Sequence, residues 1–319
     1  MSELQLFETK HPNKDARAQF DRLVGLDGHK SKLIDELALL MDPSRLEVWR
    51  KKHHPKGLPI LDMLVQGAPL ILLSGEVGCG KTALASCVAT PVAEALDARV
   101  TCFETPSNIR GTGLVGDLSN RITTAFSMAK SKLGGNGTKY GILVIDEADD
   151  LATSRAQLQA HHEDRAGLNV LVKQVDLLAR EARGLAAILI TNRLSVLDPA
   201  IRRRVALHLE FERPDDDARR EIFTEMLRGT GATDADIDDL VQRSKRDETP
   251  YSASDLIHRV GRLALNRARA ENRAFDASSL VKALGSVGPT PLIEDAAHFE
   301  WTNPSDADGP RSTRCRGNT

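Results

Sequence analysis

The 319-residue chain has few aromatic residues, few cysteines and little net charge. Phe, Trp and Tyr together make up 4% of it, and its formal net charge is −2. Proteins that grip nucleic acid usually carry a basic, aromatic-bearing surface, and the composition gives no sign of one. No apolar run approaches the ~20 residues that a membrane-spanning helix needs. The composition therefore makes nucleic acid an unlikely partner and gives no indication of a membrane protein.

The four cysteines form no CxxC pair and show no spacing typical of a zinc site. One of them, Cys79, lies inside a glycine-rich loop, where a disulfide would distort the backbone. The opening segment MSELQLFETKHPNKDARAQF is polar and mixed in charge, which is not typical of a secretory signal peptide. We therefore expect reduced thiols and a cytoplasmic location.

Five short apolar runs alternate with helical patterns over residues 21–213, after a lead-in segment, residues 1–20, that we expect to be loosely ordered. Continuous apolar runs between helices are typical of a parallel sheet that is buried on both faces. The sequence thus predicts an α/β domain with a five-stranded parallel sheet and helices on both sides. The predicted strands are Leu70–Leu73, Val100–Phe103, Ile142–Ile145, Ala187–Ile190 and Leu207–Phe211.

The pattern changes after Pro214, where only helical periodicity remains. This predicts a small all-helical domain over residues 214–288. Residues 289–319 are rich in Pro, Ser, Asp, Gly and Thr and are expected to form a disordered tail. The predicted helices of the small domain are Ala218–Leu227, Asp234–Arg243, Ala253–Arg269 and Ala277–Leu284.

A complete phosphate-binding loop follows the first predicted strand and matches G-x-x-x-x-G-K-[ST] without a mismatch. Its glycines let backbone N–H groups surround an anion, and the following helix, TALASCVATPVAEAL, points its N-terminus at the phosphates. The Gly-Lys-Thr ending is typical of nucleoside triphosphate sites rather than of dinucleotide sites. We expect Lys81 to reach the β- and γ-phosphates and Thr82 to ligate Mg²⁺. The predicted nucleotide-binding residues of the loop are Gly75, Glu76, Val77, Gly78, Cys79, Gly80, Lys81 and Thr82.

Two carboxylates end the third predicted strand, GILVI. We expect Asp146 to lie beside Mg²⁺ and Glu147 to act as the general base that polarises the attacking water. An acidic pair of this kind favours hydrolysis over transfer to a small-molecule acceptor.

Polar and basic residues follow the next strand. Asn192 ends that strand and is predicted to position the attacking water, although an Asn there is often only a turn residue. Arg203 and Arg204 lie on a short helical turn and are predicted to be arginine fingers that act on a neighbouring subunit's site. This predicts a ring, because head-to-tail contacts that close generate rings.

With these motifs in this order, residues 20–285 resemble the AAA+ ATPases. Within that family the chain resembles the pachytene-checkpoint remodelers and their bacterial relatives, through the segment LNVLVKQVD before the Asn192 strand. The resemblance implies that Val24 and Gly25 cradle adenine, that Leu114 and Val115 form a substrate-gripping pore loop, and that the ring is a hexamer. It also implies a HORMA-domain protein as substrate, with an associated nucleotidyltransferase, in bacterial anti-phage signalling.

The chain departs from the family pattern at three points. The segment before the ATPase motifs is too short for a substrate-gripping domain, and the pore loop has no aromatic residue. Ser254 stands where the family often has a second-sensor arginine, which Arg259 or Arg262 could replace. The alternative function is a DNA-directed AAA+ ATPase of the clamp-loader or initiator type, which nucleic acid rather than a folded protein would stimulate.

Overall fold

The computed structural model describes residues 4–64, 67–106, 117–133, 139–148, 162–181, 184–246 and 248–292. The predicted pore-loop residues Leu114 and Val115 lie outside this set, as does the predicted tail beyond residue 292. Within the described residues no helix is both long enough and apolar enough to span a membrane.

A six-stranded sheet forms the centre of the large domain, with the strand order β1-β3-β4-β5-β2-β6. All the neighbouring pairs among β2 to β6 are parallel, so the five predicted strands and their direction are confirmed. The strands are β1 (Phe7–His11), β2 (Leu70–Gly75), β3 (Val100–Glu104), β4 (Tyr140–Ile145), β5 (Leu185–Ile190) and β6 (Leu207–Phe211).

The prediction of a five-stranded, purely parallel sheet is corrected by β1, which pairs antiparallel with β3 inside the segment expected to be loosely ordered. Its sequence, FETKH, has a single large apolar residue, Phe7, which is exposed, while His11 is the only buried residue of the strand. The strand is therefore held largely by backbone hydrogen bonds at the sheet edge. Such bonds leave no hydrophobic pattern in a sequence.

Helices cover both faces of the sheet, as predicted, and alternate residues of each strand enter opposite cores. On β4, for example, Leu143 belongs to one hydrophobic cluster and Ile142 to the other. This is the arrangement that makes an inner strand continuously apolar. The helices are α1 (Lys14–Asp21), α2 (Asp27–Met41), α3 (Ser44–His53), α4 (Pro59–Leu64), α5 (Lys81–Cys87), α6 (Ala89–Leu96), α7 (Asp117–Lys132), α8 (His162–Glu181) and α9 (Pro199–Arg202).

The helix predicted after the phosphate loop is divided at Val88 into α5 and α6. Pro91 explains the division, because it has no N–H to donate to the carbonyl four residues earlier. Val88 itself keeps a helical conformation.

The segment after Pro214 forms a separate hydrophobic cluster around Phe223, Leu240 and Leu280, as expected for a helical lid. Two features differ from the prediction: Lys245–Arg246 and Thr249–Pro250 form a minimal antiparallel ladder, and Asp255–Gly261 is a π-helical turn rather than α-helix. Met226 packs closely against Gly261 of this turn, since a Cβ added at Gly261 would lie only 2.7 Å from the Cε of Met226. The lid helices are α10 (Asp216–Met226), α11 (Asp234–Arg243), α12 (Arg262–Ala270) and α13 (Ala277–Ser286).

Candidate nucleotide-binding and catalytic site

The predicted chemical groups converge at the carboxyl-terminal edge of the sheet. The phosphate loop leaves β2, the acidic pair follows β4, and Asn192 follows β5, which lies between those two strands. Because parallel strands all end at the same edge, residues far apart in the chain reach one crevice. The strand order thus places Asn192 between the phosphate loop and the acidic pair.

The start of the phosphate loop passes very close to the end of β6. Gly75 has a φ of +118°, and a Cβ at this position would lie 2.1 Å from the carbonyl oxygen of Phe211. The next residue, Glu76, donates its backbone N–H to the same oxygen at 2.8 Å. Glycine is therefore required at position 75 both by backbone conformation and by space.

We expect Gly75→Ala to abolish tight ATP binding and to lower the free energy of unfolding by about 1–3 kcal/mol, since the loop must move off β6. Gly229→Ala is a matched control, because Gly229 has a φ of +80° with no atom within 4 Å of the added Cβ. Denaturant unfolding and a fluorescent-nucleotide titration of both variants test this. Equal destabilisation by the two substitutions would contradict the steric argument.

The lysine of the loop is buried and folded back onto the loop itself. Lys81 Nζ donates to the carbonyl oxygens of Gly75 at 2.8 Å and of Glu76 at 2.7 Å. These acceptors hold the ammonium at the mouth of the loop, where phosphate oxygens would replace them on binding.

Thr82 and Asp146 meet across the crevice, as the sequence predicts for two Mg²⁺ ligands. Thr82 Oγ1 donates to Asp146 Oδ2 at 2.7 Å. A hydroxyl and a carboxylate in contact, opening into the cleft, are hard oxygen donors of the kind that Mg²⁺ prefers beside phosphate oxygens. The donor set thus fits a Mg²⁺–nucleotide complex.

Glu147 has an unusual backbone conformation for a non-glycine residue, with a φ of +54°. Its N–H donates to Asp146 Oδ1 at 2.8 Å, and its side chain is exposed to the cleft. Left-handed non-glycine residues carry strain and concentrate at functional sites. At this turn Asp146 faces Thr82, and Glu147 faces the open cleft.

Sequence reasoning missed Glu104, which ends β3 and shares the cleft with Thr82, Asp146 and Glu147. Burial raises its pKa, and the negative charge of Asp146 raises it further. A third carboxyl group therefore adjoins the acidic pair. The only signal in the sequence was a polar residue at the end of a parallel strand. The remaining lining residues of the cleft are Ser86, Thr105 and Val144.

The two predicted arginine fingers have different surroundings. Arg204 forms a bidentate ion pair with Asp176 of α8, with N–O distances of 2.6 and 2.9 Å, and Nη1 donates to Ala200 O at 2.8 Å. Arg203 is exposed, and its side chain makes no hydrogen bond or ion pair within the part of the chain described, although its backbone N–H donates to Pro199 O at 3.1 Å. A guanidinium that acts on a neighbouring subunit's site must be free of ion pairs within its own chain. The geometry therefore favours Arg203 over Arg204 as the arginine finger.

The predicted adenine-cradling residues, Val24 and Gly25, contact the lid. Gly25 has a φ of +71°, and its N–H donates to Glu221 Oε2 of α10 at 2.9 Å. A Cβ at Gly25 would lie 2.8 Å from the Cβ of Ala218, also on α10, while Val24 packs against the lid core. The lid residue Glu221, which the sequence analysis did not select, thus borders the predicted base site.

The lid also contacts the phosphate loop directly, at the place where the family often has a second-sensor arginine. Ser254 donates its backbone N–H to Gly78 O at 2.9 Å. A Cβ at Gly78 would lie 2.8 Å from the Cβ of Ser254 and 2.9 Å from Ser252 Oγ. Small residues on both sides permit this approach of lid and loop.

Comparison with known proteins identifies the class of this site. The model of the "ATPase family associated with various cellular activities (AAA)" matches residues 71–213. The chain is 36% identical over 302 residues to CD-NTase-associated protein 6 of Escherichia coli strain MS 115-1, covering 91% of this chain and 97% of that one. The protein of the same name from strain KTE188 is 34% identical over 287 residues, covering 89% and 95%.

Solved structures give the same result. A chain of the E. coli MS115-1 HORMA:CdnC:Trip13 complex superimposes with a TM-score of 0.84 at 33% identity, covering 91% of this chain and 97% of that one. Rhizobiales Trip13 superimposes with a TM-score of 0.69 at 31% identity, covering 89% and 98%. The likeness extends over nearly the whole length of both relatives.

Proposed function

The chain belongs to the AAA family of ATPases, in the group of CD-NTase-associated protein 6, and on this basis we propose that it is a ring-shaped motor that remodels a HORMA-domain protein. The observation that carries the proposal is its similarity, over 97% of the relative's length, to a chain of a HORMA:CdnC:Trip13 complex. The associated nucleotidyltransferase would be a second partner, and the setting would be bacterial anti-phage signalling. By this proposal, the motor converts the HORMA-domain protein from a state bound to its partner to a free state.

The site residues divide the work of ATP hydrolysis. Lys81 leaves its two loop carbonyls and neutralises the β- and γ-phosphates. Glu147 Oε accepts the proton of the attacking water, and Asn192 orients that water from the neighbouring strand. Mg²⁺, when bound, supplies positive charge that stabilises the transferring phosphoryl group, and Thr82 and Asp146 would hold it. The domain limits of 21–213 and 214–288 and the cytoplasmic location stay predictions.

A ring follows from the incomplete site of one chain. The side chain of Arg203 is exposed and makes no hydrogen bond or ion pair in the described part of the chain, so its guanidinium is available to a neighbour's γ-phosphate. We propose a homo-oligomeric ring, a hexamer by family resemblance, in which Arg203 completes the next subunit's site. Arg204, by its ion pair with Asp176, would hold the turn that presents Arg203.

The experiment that tests the function follows the dissociation of a purified HORMA–nucleotidyltransferase complex, by fluorescence energy transfer between the two proteins. Wild-type protein with ATP should dissociate the complex, and protein without ATP should not. If the complex persists with ATP, the remodeling proposal is wrong. Stimulation of the ATPase by DNA instead would support the DNA-directed alternative.

We expect Leu114→Ala with Val115→Ala to keep basal ATP hydrolysis within about twofold but to lose complex dissociation, because apolar pore side chains grip an extended segment by burying its surface. The measurement compares ATP turnover and dissociation in the same samples. Dissociation at the wild-type rate by the double variant would remove these residues from substrate contact while leaving the ATPase assignment intact.

A further inference from the structure

A short segment that follows α13 lies across the lid and is joined to the phosphate loop through Arg213. We define this strap as residues 287–291. Tyr251 Oη donates to the carbonyl oxygen of Val287, and Arg259 Nη1 donates to that of Gly288 at 3.1 Å. Thr290 donates two hydrogen bonds to the carboxylate of Asp255, from its backbone N–H at 3.0 Å and from Oγ1 at 2.7 Å. The strap is therefore held by side chains of the lid segment that begins just before the π-helical turn.

Arg213 connects this strap to the phosphate loop. Its side chain is only 4% exposed, and its Nη2 lies 3.4 Å from Glu76 Oε2. The same Nη2 donates to Thr290 O at 2.7 Å and to Pro291 O at 3.1 Å, while Nη1 donates to Pro250 O at 2.8 Å. One buried guanidinium thus joins the phosphate loop, the lid and the strap, three segments that are up to 215 residues apart, from Glu76 to Pro291.

The phosphate loop is held at this point by backbone as well as by side chain. Glu76 donates its N–H to the carbonyl oxygen of Phe211, two residues before Arg213, so the loop is tied to the segment that carries the arginine. On the other side of the loop, Ser254 donates its N–H to Gly78, and the adjacent residue Asp255 holds the strap. The phosphate loop is therefore connected to the lid and the strap by direct contacts on both sides.

Two charges of this junction are buried, on Arg213 and Asp255, and each is paired with a more exposed group of opposite charge, Glu76 and Arg259 respectively. Burial by itself would raise the pKa of Asp255, but hydrogen bonds from Thr290, Arg259 and Ser252 outweigh it and lower the pKa to about 2. Asp255 and Glu76 thus offset the two guanidinium groups of Arg213 and Arg259. Removal of the charge on Glu76 would leave the buried guanidinium of Arg213 without this ion pair, which is more costly than loss of a surface pair.

We propose that Arg213 is a positioning residue for ATP turnover, which couples the phosphate loop to the lid through the strap. Ser254 stands at the position of the absent second-sensor arginine, and Arg259 donates to Asp255 and to the strap. Arg213, by contrast, contacts a side chain of the phosphate loop itself, that of Glu76. Its planar group bonds several carbonyl oxygens at once, and the compact ammonium of lysine does not reproduce this geometry.

The test is Arg213→Lys in the full-length protein. We expect KM for ATP to rise roughly tenfold or more, since hydrogen bonds to a charged group that order the loop are lost. Hydrogen–deuterium exchange supplies a readout that a merely structural role would not change. In wild type, exchange at the strap amides, those of Val287, Gly288 and Thr290, should slow when ADP or a non-hydrolysable ATP analogue binds, and in Arg213→Lys it should no longer respond.

Arg273→Lys is the matched control, because Arg273 donates to Glu271 and Ser279 within the lid and contacts neither the loop nor the strap in the described part of the chain. It should keep the wild-type KM and the nucleotide response of the strap. Glu76→Gln should also raise KM for ATP, because it removes the charge that pairs with Arg213. The double variant, Glu76→Gln with Arg213→Lys, should raise KM little beyond the effect of either substitution alone. A wild-type KM and strap response in Arg213→Lys, or the same losses in Arg273→Lys, would overturn the proposal.

Discussion

Glu147→Gln is expected to bind ATP nearly as well as wild type but to hydrolyse it roughly 10²–10⁴-fold more slowly. The amide is similar in size and shape to the carboxylate but cannot accept the proton of the attacking water. Because Glu147 has a φ of +54° and an exposed side chain, the substitution disturbs no packed group. The measurements are a nucleotide titration and single-turnover hydrolysis on the same protein preparation.

Glu248→Gln is the control for the unusual backbone, since Glu248 is also exposed and has a φ of +63°. It should hydrolyse ATP at the wild-type rate. Lys81→Ala provides the contrast, because removal of the ammonium should weaken binding itself. If Glu147→Gln turns over ATP normally, Glu147 is not the base, and Glu104 in the same cleft becomes the next candidate.

Arg203→Ala is expected to lower kcat by about 10³–10⁵, the effect typical of an arginine finger, with little change in nucleotide affinity. Arg204→Ala is expected to act differently. It breaks the ion pair with Asp176, and it should weaken thermal stability or assembly of the protein together with activity. Asp176→Asn should resemble Arg204→Ala, since it removes the other half of that pair.

Mixing the inactive variants tests whether the finger acts between subunits. Arg203→Ala and Lys81→Ala subunits are each inactive alone, but some interfaces of a mixed ring pair an intact Arg203 with an intact phosphate loop. Partial recovery of ATP turnover, rising with protein concentration, is the expected result. Full activity of a monomer, independent of concentration, would show that no subunit interface completes the site.

The catalytic motifs were predicted from the sequence because each is contained in a few consecutive residues. The phosphate loop depends on glycines in a strand–turn–helix unit, and the acidic pair depends on two carboxylates directly after a buried strand. The five inner strands were predicted for a related reason. Burial on both faces demands an unbroken apolar run, which is visible without knowledge of the partners.

The tertiary structure alone decided the features that depend on residues distant in the chain. β1 adds to the sheet through backbone hydrogen bonds, which any sequence can make. Arg204 is paired with Asp176, 28 positions earlier, and this distinguishes it from Arg203 although the two are adjacent. Arg213 meets the strap 77 positions later. Local patterns fix which groups a segment carries, whereas the packing of sheet, lid and strap decides which of those groups meet.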